Sequence, residues 1–158
     1  LIGDVVKFTS LEKDEIIITG RTKHFLSICG EHLSVDNMNK AIERLSETLN
    51  TPINEYTVKG ESNGNNHAHQ WYIACNNPAI QSEQACALLD QYLCELNDDY
   101  ATERKHALKE VKVKLIPSEV FLNWMLEQGK YGSQSKFPRV LTDAKYKEWV
   151  TFVNKHTA

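Results

Sequence analysis

The chain contains no apolar run near the roughly 18 residues that a membrane-spanning helix requires. Its first residues, Leu1 to Phe8, read as a strand-like segment without the charged region of a secretory signal. An excess of charge of one sign is nearly absent as well: 18 Lys and Arg against 21 Asp and Glu leave a net −3. That is too little for a broad pull toward nucleic acid or membrane. The four cysteines, Cys29, Cys75, Cys86 and Cys94, form no CxxC pair and read as reduced thiols of a cytoplasmic protein. Cys86 and Cys94 fall on one face of a predicted helix, where each packs as a small apolar group. There is no internal repeat, no low-complexity tract and no initiator Met, so the chain is expected to be a piece of something larger. What is present is 158 residues at 41% hydrophobic and 25% charged, enough for one globular domain with a real core.

Residues 3–9 and 15–21 read as two β-branched strands joined by a charged turn, and residues 25–28 as a third apolar run ended by Gly30. Ser34 caps a helix whose apolar residues Met38, Ala41, Ile42, Leu45 and Leu49 recur at three and four, with Pro52 beyond its end. Residues 53–59 and 68–75 alternate and are joined by the turn-rich residues 60–67, a hairpin pattern with Trp71, Ile73 and Cys75 on one face. A long helix follows Asn77-Pro78 and carries Ala85, Leu88, Leu89, Tyr92, Leu93 and Leu96. Val111, Val113 and Leu115 alternate with Lys112 and Lys114 as a half-buried strand. Pro117-Ser118 opens a helix with Phe121, Leu122, Met125 and Leu126, for which Gly129 suits the C-terminal cap. Residues 130–138 form a loop before a last helix bearing Tyr146, Trp149, Val150 and Val153. Strands and helices mix without regular βαβ alternation, which predicts α+β architecture: a mainly antiparallel sheet with helices packed on it.

Three polar clusters stand out from this packing pattern. They are Gly3-Asp4, then Gly20-Arg21-Thr22-Lys23 followed by Gly30-Glu31, then the loop from Gly129 to Arg139. Singly each is a turn, a strand end or a solvated connection. His67, His69 and Cys75 offer zinc-type ligands but lack paired ligand spacing. Lys112, Lys114 and Arg104-Lys105-His106 could touch nucleic acid, although alternating lysines are usually the wet side of a sheet.

Taken in order, the clusters resemble the C-terminal hallmarks of the adenylate-forming superfamily. The segments FLSICGEHLS (25–34), CELNDDYATERKHA (94–107) and SQSKFPRVL (133–141) are similar to the acyl-acid amido synthetases known as auxin-responsive proteins, and a bacterial relative is expected. The resemblance covers essentially the whole chain. It implies that residues 1–23 are the end of a large domain and a hinge at Thr22, Lys23 and His24. Residues 24–158 would then be a small C-terminal lid domain. It further implies that Asp4 and Arg21 bind the ATP nucleotide and that Lys136 is the mobile catalytic lysine. The implied partners are the missing N-terminal domain, ATP, a carboxylic acid and an amine or amino acid, with no nucleic acid or membrane. Mg2+ ligands, phosphate loop and acyl pocket are expected in that large domain, so the fragment alone is expected to be inactive.

Two departures stand beside the resemblance. His24 occupies the place of the superfamily's usual Asp after the hinge arginine, and Lys130, after Gly129, remains an alternative to Lys136. A stand-alone regulatory module binding a small molecule is the competing reading of the same α+β pattern.

Overall fold

A computed structural model describes residues 4–10, 13, 15–21, 25–130 and 136–157. The chain opens with an antiparallel hairpin, β1 (Asp4–Ser10) and β2 (Glu15–Arg21). A two-residue pair follows, β3 (Phe25–Leu26) against β4 (Leu33–Ser34). Ser34 then caps α1 (Val35–Thr48). The cap is reciprocal: the Asn37 amide N–H donates to Ser34 Oγ at 3.1 Å, and the Ser34 amide donates to Asn37 Oδ1 at 3.2 Å. Two otherwise unpaired amides at the helix start are satisfied in this way. The predicted apolar stripe is the buried one: Met38, Ala41, Ile42 and Leu45 all face the core.

The centre is a three-stranded sheet of β5 (Tyr56–Asn63), β6 (Asn66–Ala74) and β7 (Leu108–Ile116), in that order. β5 and β6 form the expected hairpin, but its connection is only Gly64-Asn65, with Asn63 paired to Asn66. Gly64 takes φ +62°, the left-handed conformation a two-residue connection requires, so both strands run further into the polar stretch than alternation alone predicts. β7 pairs with β6 in parallel. It returns after a crossover through α2 (Ser82–Leu96) and α3 (Asp98–His106), which lets it enter the sheet in the same direction as β6. Two further helices, α4 (Ser118–Glu127) and α5 (Asp143–His156), complete the α+β fold.

Alternation along β6 divides the interior into two cores. Trp71 and Ile73 turn to one face, packed with Leu26, Leu33, Met38, Leu45, Leu89, Leu93 and Tyr100. Tyr72 and Ala74 turn to the other, packed with Phe121, Trp124, Phe137, Leu141, Trp149 and Phe152. A sheet covered on both faces explains why β6 carries a nearly continuous apolar run at its C-terminal end. All four cysteines are free thiols, and burial pushes the Cys86 and Cys94 thiols up. No helix among the described residues is long and apolar enough to cross a membrane.

Candidate functional site

The Lys-Phe-Pro-Arg segment ahead of α5 is exposed at one end and pinned at the other. Lys136 is exposed. Its neighbour Phe137 is buried, with its ring 4.9 Å from those of both Phe121 and Trp149. Pro138 has no N–H to give to a strand, and its carbonyl is taken instead by the buried Thr57, whose Oγ1 donates at 2.7 Å. Backbone pairing with β5 begins one residue on: the Val58 amide donates to Arg139 O at 2.8 Å and the Leu141 amide to Val58 O at 2.9 Å. Val140 thereby forms a parallel bridge to Val58 on the edge of β5. The Arg139 guanidinium donates to Glu55 Oε2 at 2.7 Å and to Tyr56 O at 3.1 Å, and lies 4.3 Å from the centre of the Tyr56 ring. Lys130, the alternative lysine, is also exposed, but its amide donates to Met125 O at 3.0 Å as part of the cap that ends α4 at Gly129, φ +66°. Residues 131–135, between the two lysines, lie outside the described residues.

Gly30-Glu31 is built the opposite way. Glu31 is fully buried, and its carboxylate accepts from the amides of Ile28 and Cys29 at 3.0 and 2.9 Å and from His69 Nε2 at 2.9 Å. Burial alone would raise its pKa. The His69 bond and the backbone amides outweigh that and lower it from 4.5 to about 2. A carboxylate can only accept, so His69 carries its proton on Nε2, and the equally buried Nδ1 has no partner. Gly30 makes the turn at φ +114°, close against Glu103, where a Cβ would lie 3.3 Å from Glu103 Oε1.

The Leu-Asn-x-x-Tyr stretch closes over the same turn. Asn97 caps α3, accepting from the Tyr100 amide at 2.8 Å and donating to His32 O at 3.2 Å. Tyr100 is buried beside the His69 ring and donates to Asp90 Oδ1 at 2.7 Å. Asp90 also receives the Arg104 guanidinium at 2.8 Å, so that arginine of the predicted basic cluster faces a carboxylate. Two of the three resemblance-bearing segments therefore meet in one structural node. The other reading of β6, a zinc group, fails on geometry. His67 and Cys75 stand roughly 26 Å apart along one strand, and among the described residues no three His, Cys, Asp or Glu side chains could hold a metal ion.

Asp4 and Arg21 are brought together by register: they are paired residues at the open end of the β1–β2 hairpin. The spacing alone did not announce this pairing, because the register shifts twice along the two strands. Thr22, Lys23 and His24 lie outside the described residues. The Thr57 hydroxyl and the Glu55–Arg139 pair escaped the sequence reading. Alternation puts Thr57 on the polar side of the strand with Glu55 and Lys59, so nothing local signalled them.

The profile of the GH3 family C-terminal domain matches residues 36–145. Among solved structures, a GH3.15 acyl acid amido synthetase superposes with a TM-score of 0.71 at 20% identity, covering 98% of this chain and 30% of that protein. A second, AtGH3.15 acyl acid amido synthetase in complex with 2,4-DB, gives 0.67 at 21% identity, covering 98% and 29%. At such identity the likeness carries the fold, and the chain spans about 30% of the length of the solved protein. No curated protein sequence matches it. On the strength of a family match over residues 36–145, the chain belongs to the GH3 family, of which it carries the C-terminal domain.

Proposed function

We propose that this chain is the lid domain of an ATP-dependent acyl-acid amido synthetase and that Lys136 is its catalytic lysine. The observation that supports this most is the placement of Lys136: exposed to solvent, one residue ahead of a segment held by Phe137, Thr57 and Arg139. An exposed charge next to a held segment can be presented to a partner domain. In the reaction proposed, a carboxylate oxygen of the acid attacks the α-phosphorus of ATP, and the bond to pyrophosphate breaks. Negative charge grows on the phosphoryl oxygens, and the Lys136 ammonium stabilises it as a positioned point charge. An amine, in the family reading an amino acid, then attacks the acyl carbonyl. It forms the amide, loses a proton and releases AMP.

Asp4 and Arg21, opposite each other in the hairpin, are proposed to hold the nucleotide. A carboxylate that accepts from ribose hydroxyls forms charge-assisted bonds of about 1.5–3 kcal/mol each. Residues 1–23 would end the large domain and supply the hinge at Thr22, Lys23 and His24, and residues 24–158 would swing as the lid. Mg2+ is proposed to be held by the large domain. Four free thiols suit a cytoplasmic enzyme.

The test is ATP–pyrophosphate exchange by the full-length protein, screened over a panel of carboxylic acids, with Lys136→Ala beside the wild type. Loss of exchange by on the order of 100- to 1000-fold is expected. Wild-type exchange in the variant would remove Lys136 from the mechanism. Loss only in Lys130→Ala would move the role to Lys130.

A further inference from the structure

Lys136 could act on a phosphoryl group only if its backbone is delivered to one place, and the fold contains a device suited to that. Four features converge on the residues just after it. Phe137 is 3% exposed and fixed between the rings of Phe121 and Trp149. Pro138 locks its own φ near −65° and confines Phe137 to extended backbone, so the link from Lys136 to its anchor is stiff. Thr57, fully buried on β5, spends its hydroxyl on the Pro138 carbonyl at 2.7 Å. Arg139 then grips the first residue of β5 and the one before it three ways, through Glu55 Oε2, Tyr56 O and the face of the Tyr56 ring.

We infer that Thr57 and Arg139 are positioning residues for Lys136, forming a clamp that sets where its ammonium arrives. The inference rests on the proposed role of Lys136. Thr57 is fully buried, and a buried hydroxyl is costly unless satisfied. Here it is satisfied by the carbonyl two residues beyond Lys136. The core does not need this: a valine at position 57 would fill the space, whereas only a donor fixes the Pro138 carbonyl. Arg139 is equally specific. A lysine there keeps the charge toward Glu55 but loses the planar fork that reaches Glu55 and Tyr56 O together while lying over the ring.

The experiment is a double-mutant cycle in the full-length protein, read by pyrophosphate exchange with the acid identified in the panel. Thr57→Val and Arg139→Lys are each expected to lower kcat by on the order of 10-fold or more with KM for ATP unchanged, since a small misplacement of a reacting group costs rate rather than binding. Thr57→Ser, which keeps the donor, is expected to retain wild-type kcat. In a Lys136→Ala background neither clamp change should lower the residual rate further. Equal losses in both backgrounds would make the clamp merely structural, and an unchanged kcat in Arg139→Lys would overturn it. These results are separable from failure of the lysine itself. If Lys136→Ala alone keeps full exchange, the lysine assignment falls. If Lys136→Ala is inactive while both clamp variants run at wild-type kcat, only the clamp falls.

Discussion

Glu31 and Lys136 look alike in sequence, each a charged residue beside small polar ones in a motif-like segment, yet the structure treats them as opposites. Every strong hydrogen-bonding direction of Glu31 is consumed internally, by two backbone amides and His69, and no part of it meets solvent. Lys136 is exposed, and the residues just after it are held. A charge whose partners are all inside the domain organises the domain. An exposed charge next to an anchored segment is available to something else. The first serves folding and the second is the better candidate for chemistry.

The largest effect that would break this contrast is on stability. Glu31→Ala leaves the buried His69 Nε2 and two part-buried amides without an acceptor, and should cost about 3–5 kcal/mol in urea unfolding of this chain. Lys136→Ala removes an exposed side chain and should stay within about 0.5 kcal/mol. A tolerated Glu31→Ala, or a destabilising Lys136→Ala, would reverse the division between the two regions.

A smaller effect sharpens it. The folded-state pKa of Glu31 lies below its ordinary value, 4.5 moved to about 2. A depressed carboxyl pKa means that the stabilisation is complete above about pH 4.5 and is lost as pH falls from there toward about 2, a swing of about 3 kcal/mol. Unfolding measured across that window in the wild type and in Glu31→Gln isolates the contribution. The variant should begin less stable at neutral pH and lose less on acidification. Parallel curves for the two proteins would show that the buried pair does not carry the acid sensitivity.

Legibility in the sequence follows the same division between periodic and single-residue signals. Ser34 and the three-and-four spacing of Met38, Ala41, Ile42 and Leu45 made α1 readable from its cap to its buried face. α3 was missed because Tyr100 is its one buried residue and no apolar stripe exists to detect. Its signals were of another kind: Asn97 as cap, Asp98 and Asp99 in the first turn, and Arg104, Lys105 and His106 in the last, each matched to the helix dipole. The parallel entry of β7 was hidden because Lys112 and Lys114 alternate as they would on a half-wet antiparallel strand. Of the candidate site, the segments that carry Glu31 and Lys136 stood out in the sequence and their surroundings did not. Nothing local says that Glu31 is sealed against His69, or that Phe137 dives into a ring cluster while Lys136 stays out. Both depend on partners far along the chain.

The subtlest test concerns Asn97, which joins the two kinds of signal. It is a helix cap, accepting from the Tyr100 amide, and also a tether, donating to His32 O and Asn37 Oδ1 across the Gly30-Glu31 turn. A cap alone is worth about 1 kcal/mol. If the tether also holds the turn that surrounds Glu31, Asn97→Ala should cost more, about 3 kcal/mol, because each of its two net hydrogen bonds adds about 1 kcal/mol. Asn97→Ser, which keeps a cap acceptor but cannot span to His32, should fall between the two. A double-mutant cycle with Glu31→Gln decides what the tether does. Coupling well above about 0.5 kcal/mol would mean that the α3 cap and the buried carboxylate act as one unit. Strict additivity would mean that they are neighbours without cooperation, and that α3 could be lost while the Glu31 turn stays intact.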